Sequence, residues 1–175
     1  GVQNKVLEAM AMALPVVVSG EAATGISARD GEHFVVADSD EALARAVQGA
    51  LASVGCDVID IGVAMTPTVG LMITALGCDG GMTVTASHNP KDYNGMKLVR
   101  EQSKPISGDT GLQAIKALIE AQDFIESTRR GEVHALDHHA AYQARLLAYL
   151  DPIDAIKPLK IVVNPGNGGA GAVID

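Results

Sequence analysis

The chain has 175 residues, a formal net charge of −8 and 47% hydrophobic residues, with 3% aromatic and no Trp. That length suits one domain, or one domain and part of another, with a core built from Val, Ile, Leu, Ala and Met. The negative balance argues against nucleic acid and anionic membrane surfaces as partners. It leaves an anionic substrate open, because Lys91, Lys97 and Arg100 can dominate their own loop.

In chain order, Val2, Val6, Ala9, Met10 and Ala13 recur at helical spacing over residues 2–13. Pro15 stops that helix, Val16-Val17-Val18 reads as a buried strand, residues 20–31 as a loop, and Phe34-Val35-Val36 as a short strand. The run Gly1-Val2-Gln3-Asn4-Lys5-Val6-Leu7-Glu8-Ala9-Met10, with Pro15-Val16-Val17, Ala22-Ala23-Thr24-Gly25-Ile26 and Gly31-Glu32-His33-Phe34-Val35-Val36, resembles the donor half of retaining glycosyltransferases with two Rossmann-like domains. That resemblance implies a nucleotide-sugar contact at Glu8. The plainer reading, a solvated helix carboxylate, is preferred for Glu8, since the acidic partner expected in that family would lie before Gly1.

Asp38-Ser39-Asp40-Glu41 caps a helix running to about Val54, with Leu43, Val47 and Leu51 on its apolar face. Residues 56–61 read as a strand between Gly55 and Gly62. Thr66 is expected to N-cap a helix with Pro67 in its first turn and Val69, Met72, Ile73 and Leu76 on one face, ended by Gly77. The stretch 61–78 is uncharged and about long enough to span a bilayer, but Pro67 and its Thr and Gly content exclude that. Cys56 and Cys78 lack metal-ligand spacing and read as buried thiols of a reducing cytoplasm. No signal peptide is visible.

Gly81-Met82-Thr83-Val84-Thr85-Ala86 reads as a strand. Asn94-Gly95 is a tight-turn signal, and in Met96-Lys97-Leu98-Val99-Arg100 the alternation turns Lys97 away from Met96 and Leu98. Between the strands lies Ser87-His88-Asn89-Pro90-Lys91-Asp92-Tyr93-Asn94, a loop holding a hydroxyl, an imidazole, an ammonium, a carboxylate and amides. Such groups on a loop held by strands suit catalysis. A serine nucleophile needs a base or cation beside it, and His88 and Lys97 are both candidates. A plain polar turn is the competing reading, since Ser, Asn, Pro and Gly are ordinary turn residues.

The core Ala86-Ser87-His88-Asn89-Pro90, followed by Asn94-Gly95-Met96-Lys97 and later Pro105-Ile106-Ser107-Gly108-Asp109, resembles the phosphoserine loop of the α-D-phosphohexomutases, and most of all bacterial phosphomannomutases. The likeness runs from about residue 45 to 175. It implies a three-layer α/β/α sandwich of the mutase domain I type, incomplete, with the start of a second α/β domain. The expected division is 1–45 glycosyltransferase-like, 46–151 domain I and 152–175 the start of domain II. A natural fusion, a broken gene or an assembly artefact would each give such a junction.

The resemblance further implies an enzyme whose loop serine, Ser87, carries a phosphate. It passes the phosphate to a hexose phosphate, and the bisphosphate sugar turns over and returns its other phosphate. Mannose 6-phosphate and mannose 1-phosphate interconvert, often with the glucose pair, and supply GDP-mannose for polysaccharide. His88 and Lys97 match positions beside the transferring group, and which one acts as base stays open. Asn89, Asn94 and Lys97 are expected to bind substrate or phosphate. Mg²⁺ is expected on the phosphate of Ser87, with glucose 1,6-bisphosphate as activator. The Asp-x-Asp-x-Asp metal loop, the sugar-recognition loop and domains II–IV are expected beyond residue 175, so this chain is expected to have little or no activity alone.

Further on, Leu112, Ile115, Leu118 and Ile119 form one face of a helix starting at residues 105–109, and 122–135 read as a surface connector. Residues 137–150 read as a helix with Tyr142, Leu146 and Leu150 inward. His134 and His138 stand four apart beside Asp137, where a solvated helix end is preferred to a metal pair. Leu159-Lys160-Ile161-Val162-Val163 reads as a strand. Gly166-Asn167-Gly168-Gly169-Ala170-Gly171 fits G-x-G-x-x-G, but a dinucleotide site needs a helix after it and an acid about 20 positions on. The run resembles the opening of the mutase second domain, which is the preferred reading.

Overall fold

The computed structural model describes residues 4–11, 16–87, 89–90, 93–150, 157–164 and 171. They form a mixed α/β chain of six helices and six strands. In order these are α1 (Asn4–Ala11), β1 (Val17–Val18), α2 (Gly20–Ala23), β2 (Val35–Val36), α3 (Asp40–Ser53), β3 (Val58–Asp60), α4 (Thr66–Leu76), β4 (Gly80–Val84), β5 (Met96–Arg100), α5 (Gln113–Glu120), β6 (Val133–Ala135) and α6 (His139–Leu147). A 3₁₀ turn covers Glu101–Ser103 and a wide turn Gly108–Leu112 leads into α5. The α/β class expected from the sequence is present. Among the described residues the strands pair as β1–β2, β3–β6 and β4–β5. Strands of two to five residues make short ladders, and no wider sheet is assembled from them here.

The chain falls into two compact units that alternate along the sequence. One comprises Gly1–Val58, Val84–Lys97 and Ile106–Val133; the other comprises Ile59–Thr83, Leu98–Pro105 and His134–Asp175.

In the first unit, β1 and β2 run parallel with Val17 opposite Val35 and Val18 opposite Val36. Val6 of α1, Val18 and Phe34 are buried together, with Met10, Val16, Ala22, Ala23, Ile26, Ala28 and Val36 packed around them. Each buried side chain of this kind contributes roughly 1.5–3 kcal/mol. Val17 and Val35 are exposed, so only one face of this two-stranded ribbon is covered, and Val16-Val17-Val18 is half buried instead of wholly so. The expected helix residues Val2 and Ala13 lie outside the described residues.

Ser39 caps α3, its Oγ accepting from the Ala42 N–H at 3.2 Å. The segment after α5 is tied back to the end of α3. The Arg129 guanidinium holds both oxygens of Asp57 at 2.5 and 2.7 Å and donates to the Gly55 carbonyl at 2.8 Å. Gly131 donates to the Ala52 carbonyl at 2.8 Å.

The expected surface connector 122–135 therefore ends in a strand. The Val58 N–H donates to the Glu132 carbonyl at 2.7 Å and the Leu136 N–H to the Asp60 carbonyl at 2.8 Å, the slanted pattern of a parallel pair. The apolar, period-two Val133-His134-Ala135 was masked in the sequence by its polar flanks.

In the second unit, α4 buries Thr68, Met72 and Ile73. Its N-cap is Met65, not Thr66, and no side chain caps it. Extended backbone ends at Met65, so Thr66 falls one position inside, with Pro67 in the first turn as expected. Gly77 ends the helix in the left-handed region (φ 65°), donating its N–H to the Ile73 carbonyl. Leu76 is exposed, against expectation. Ser103 of the 3₁₀ turn donates to the Gly70 carbonyl at 2.5 Å, where the missing side chain lets it close in.

Helix α5 begins at Gln113, later than the 105–109 expected, and Leu112, Leu118 and Ile119 of its expected apolar face are exposed. On α6, Tyr142 is buried as expected, whereas Leu146 and, beyond the helix, Leu150 are exposed. Residues 157–164 form no strand. Leu159, Ile161, Val162 and Val163 are exposed, and among the described residues no strand pairs with them. Residues 165–170 of the glycine run lie outside the described residues. Among the described residues no helix is long and apolar enough to cross a membrane. Cys56 and Cys78 are free thiols, but Cys56 is exposed and Cys78 half-buried, not a buried pair. Gly55 (φ 90°) turns the chain outward just before Cys56.

Candidate functional site: the loop between β4 and β5

Strand β4 delivers the chain to Thr85 and β5 takes it away from Gly95. Two contacts fix the antiparallel register. The Thr85 N–H donates to the Gly95 carbonyl at 2.8 Å, and the Gly80 backbone lies against the Val99 carbonyl, which a Cβ would meet at 2.8 Å.

The Asn94-Gly95 pair does not make the expected tight turn. A type I′ turn needs positive φ at both residues, and neither is among the positive-φ residues described. Two backbone hydrogen bonds close the loop ahead of the pair. The Asn89 N–H donates to the Ala86 carbonyl and the Tyr93 N–H to the Pro90 carbonyl, both at 3.0 Å. Asn94 and Gly95 then straighten the chain into β5.

Ser87 lies in a turn, just after Ala86, the acceptor of the first of these bonds. Its φ is 55°, a left-handed conformation that costs a non-glycine residue about 1–2 kcal/mol. The Thr85 hydroxyl accepts the Ser87 N–H at 3.0 Å and helps hold it there. Ser87 is exposed. Strain of this kind clusters where a loop presents a working group. His88, and with it Lys91 and Asp92, lies outside the described residues.

Asn94 is anchored on both sides of its amide. Nδ2 donates to Asp40 Oδ1 at 2.6 Å, and Oδ1 accepts the Gly95 N–H at 2.7 Å. Asp40 is the first residue of α3, so the loop is pinned to a helix 54 residues away in sequence. Beside it, the Ser39 hydroxyl and then its own backbone hydrogen bond hold the Glu41 carboxyl below the usual range. Asn89 is exposed on the first turn. Lys97 is exposed on β5, as its polar position predicted. Met96 is exposed too and Leu98 and Val99 are half-buried, so β5 does not present the clean two-faced alternation expected. Glu8 is exposed on α1, as a solvated carboxylate would be.

Ser87, Asn89, Asn94 and Lys97 are thus carried by one loop and the strand that ends it. Asp40 and Thr85 support that loop. Asp40 was legible only as part of a helix cap, because nothing in the sequence pairs it with Asn94.

Over residues 10–126 the chain matches the family described as phosphoglucomutase/phosphomannomutase, alpha/beta/alpha domain I. The chain belongs to this family. The phosphomannomutase of Vibrio cholerae is 48% identical to it over 154 residues, covering 85% of this chain and 33% of that protein. A phosphomannomutase of Escherichia coli K12 is 47% identical over 139 residues, 78% of this chain and 30% of the relative. A protein of Xanthomonas campestris named phosphohexose mutases is 48% identical over 134 residues. The chain spans about a third of the length of these relatives. The family match begins at residue 10, so it takes in most of the segment whose residues resemble a glycosyltransferase.

For a phosphohexomutase loop, Mg²⁺ is the expected metal. It favours oxygen ligands in an octahedron, with one or two carboxylates beside phosphate oxygens. Among the described residues the carboxylate brought to the loop is Asp40, and its Oδ1 is engaged by Asn94. These residues alone do not make an Mg²⁺ site.

Proposed function

We propose that this chain carries the phosphoryl-accepting loop of a phosphohexomutase acting on mannose and glucose phosphates, with Ser87 as the residue phosphorylated. The observation that supports this most is the left-handed, exposed Ser87 at the first turn of a loop braced by Thr85 and Asn94. Phosphoryl transfer asks the protein mainly for positioning and for charge to offset the phosphate. In this reading the Ser87 hydroxyl oxygen attacks the phosphorus of a sugar bisphosphate. The bond from phosphorus to the sugar oxygen breaks, and the serine proton passes to a neighbouring base. His88 and Lys97 are the assigned pair for proton transfer and charge, and Asn89 contributes an amide toward phosphate. Asn94 serves the loop's shape, since its amide is spent on Asp40 and Gly95. The Mg²⁺ expected with such a loop would supply positive charge to offset the phosphate, and the free thiols Cys56 and Cys78 fit a reducing cytoplasm.

The test is the mass of the Ser87 peptide after incubation with glucose 1,6-bisphosphate and Mg²⁺. A phosphate on Ser87, absent in Ser87→Ala, supports the assignment. An unmodified Ser87 in folded protein, with phosphate on another residue, overturns it.

A further inference from the structure

Where β6 gives way to α6, Asp137, His138 and His139 follow one another. One ligand-type atom from each lies within 4.8 Å of the others. This is not the His134–His138 pair that the sequence spacing singled out: His134 stays on β6 and His139 takes its place.

His138 is the informative member. It is 1% exposed, and neither Nδ1 nor Nε2 has a hydrogen-bond partner. A buried polar group left unpartnered costs about 1–3 kcal/mol, so such a ring calls for a ligand. His139 stacks on it with ring centroids 4.4 Å apart. Asp137 Oδ1 accepts the His139 N–H at 3.0 Å and lies 2.7 Å from His139 Nδ1. That contact orients the half-buried His139 imidazole as a carboxylate orients a metal-binding histidine.

We propose that Asp137, His138 and His139 bind a late first-row divalent cation of the Zn²⁺ type. Two imidazoles and one carboxylate form a borderline donor set that suits Zn²⁺, Ni²⁺ or Cu²⁺ and disfavours Mg²⁺. Ligand atoms around tetrahedral Zn²⁺ stand roughly 3.4 Å apart, given bonds of about 2.0–2.1 Å. The cluster therefore closes by rotation of its side chains, most easily of the exposed Asp137 and the half-buried His139, toward the buried His138. Three protein ligands leave a fourth position for water or for an anionic group. The site is separate from the Ser87 loop and does not depend on the function proposed for it.

The experiment is a calorimetric titration of the full chain with Zn²⁺ near neutral pH, with excess Mg²⁺ present. The expected result is one Zn²⁺ bound per chain, weakened at least about tenfold in Asp137→Asn and in His139→Ala. Asp137 is exposed and His139 only half-buried, so circular dichroism should show an unchanged fold, whereas His138→Ala opens the interior. For His138 itself, the ring ¹⁵N resonances of the wild-type chain should shift on adding one equivalent of Zn²⁺. Absence of saturable binding below about 1 mM, binding that survives both substitutions, or unmoved His138 resonances would each overturn the proposal.

Discussion

Removing the Asn94–Asp40 hydrogen bond should loosen the Ser87 loop by a measurable and separable amount. The donor is the neutral Asn94 amide and the acceptor an ionised carboxylate at 2.6 Å. Hydrogen bonds to charged groups contribute about 1.5–3 kcal/mol, and exposure of both residues screens this one to about 1 kcal/mol. Asn94→Ala also deprives the Gly95 N–H of its acceptor, so alone it should cost nearer 2 kcal/mol. Asp40→Ala also removes a carboxylate from the first turn of α3, which adds about 0.3–1 kcal/mol. The double variant should therefore cost about 1 kcal/mol less than the two singles together. The assay is hydrogen exchange at the Thr85 amide, whose bond to the Gly95 carbonyl closes the loop's base. Each single variant should speed exchange at least about fivefold, since 1.4 kcal/mol is tenfold. A coupling below about 0.3 kcal/mol would refute the assignment of Asn94 as the loop's anchor.

Ser87→Gly should be more stable than Ser87→Ala by about 1 kcal/mol, because both lack the hydroxyl but only glycine tolerates φ 55° without strain; equal melting temperatures would count against a left-handed Ser87. Ser39→Ala should cost about 1 kcal/mol by uncapping α3, and should let the Glu41 titration rise toward its ordinary value. Because the folded Glu41 value is depressed, its contribution is present above the unfolded value and disappears as pH falls through the folded one. The difference between Ser39→Ala and wild type should accordingly shrink in acid, as followed by denaturation at a series of pH values. Gly131→Ala should destabilise the tie between α3 and β6 by at least about 1 kcal/mol, since a Cβ there would run into the Cys56 carbonyl; an unchanged midpoint in urea would show that this close approach is not maintained.

The helices and the loop could be read from the sequence because their signals are local. The run Asp38-Ser39-Asp40-Glu41 marked the start of α3. Gly77 marked the end of α4, where φ 65° needs a glycine. Misreadings arose where the outcome depends on what lies across from a segment. Val133–Ala135 becomes a strand because Val58 and Asp60 offer it backbone partners, whereas the more strongly β-patterned residues 159–163 form none. Asn94-Gly95 carries the sequence of a tight turn, but the bonds from Asn89 to Ala86 and from Tyr93 to Pro90 close the loop ahead of it. Asn94 is then free to reach Asp40, a contact that no periodicity encodes. Ser87 was legible as a candidate from its company, but its left-handed backbone was not, because serine carries no propensity for it.

The exposure of the loop bears directly on chemistry. Ser87, Asn89, Tyr93, Asn94 and Lys97 are all exposed, so water reaches the groups that would surround a transferring phosphate. Enzymes that move phosphate between sugars must keep it from water, and closing a site also strengthens each charge contact within it. This chain spans 33% of the Vibrio cholerae relative and, among its described residues, supplies no wall over the loop. It follows that the isolated chain should accept phosphate on Ser87 yet turn over mannose 1-phosphate too slowly to detect, and should lose the phosphate to water instead. Both are read from one incubation, the serine phosphate by mass and the sugars by ³¹P resonance. Sustained interconversion of mannose 1-phosphate and mannose 6-phosphate by the isolated chain would show that the loop needs no cover, and would defeat this reasoning at its root.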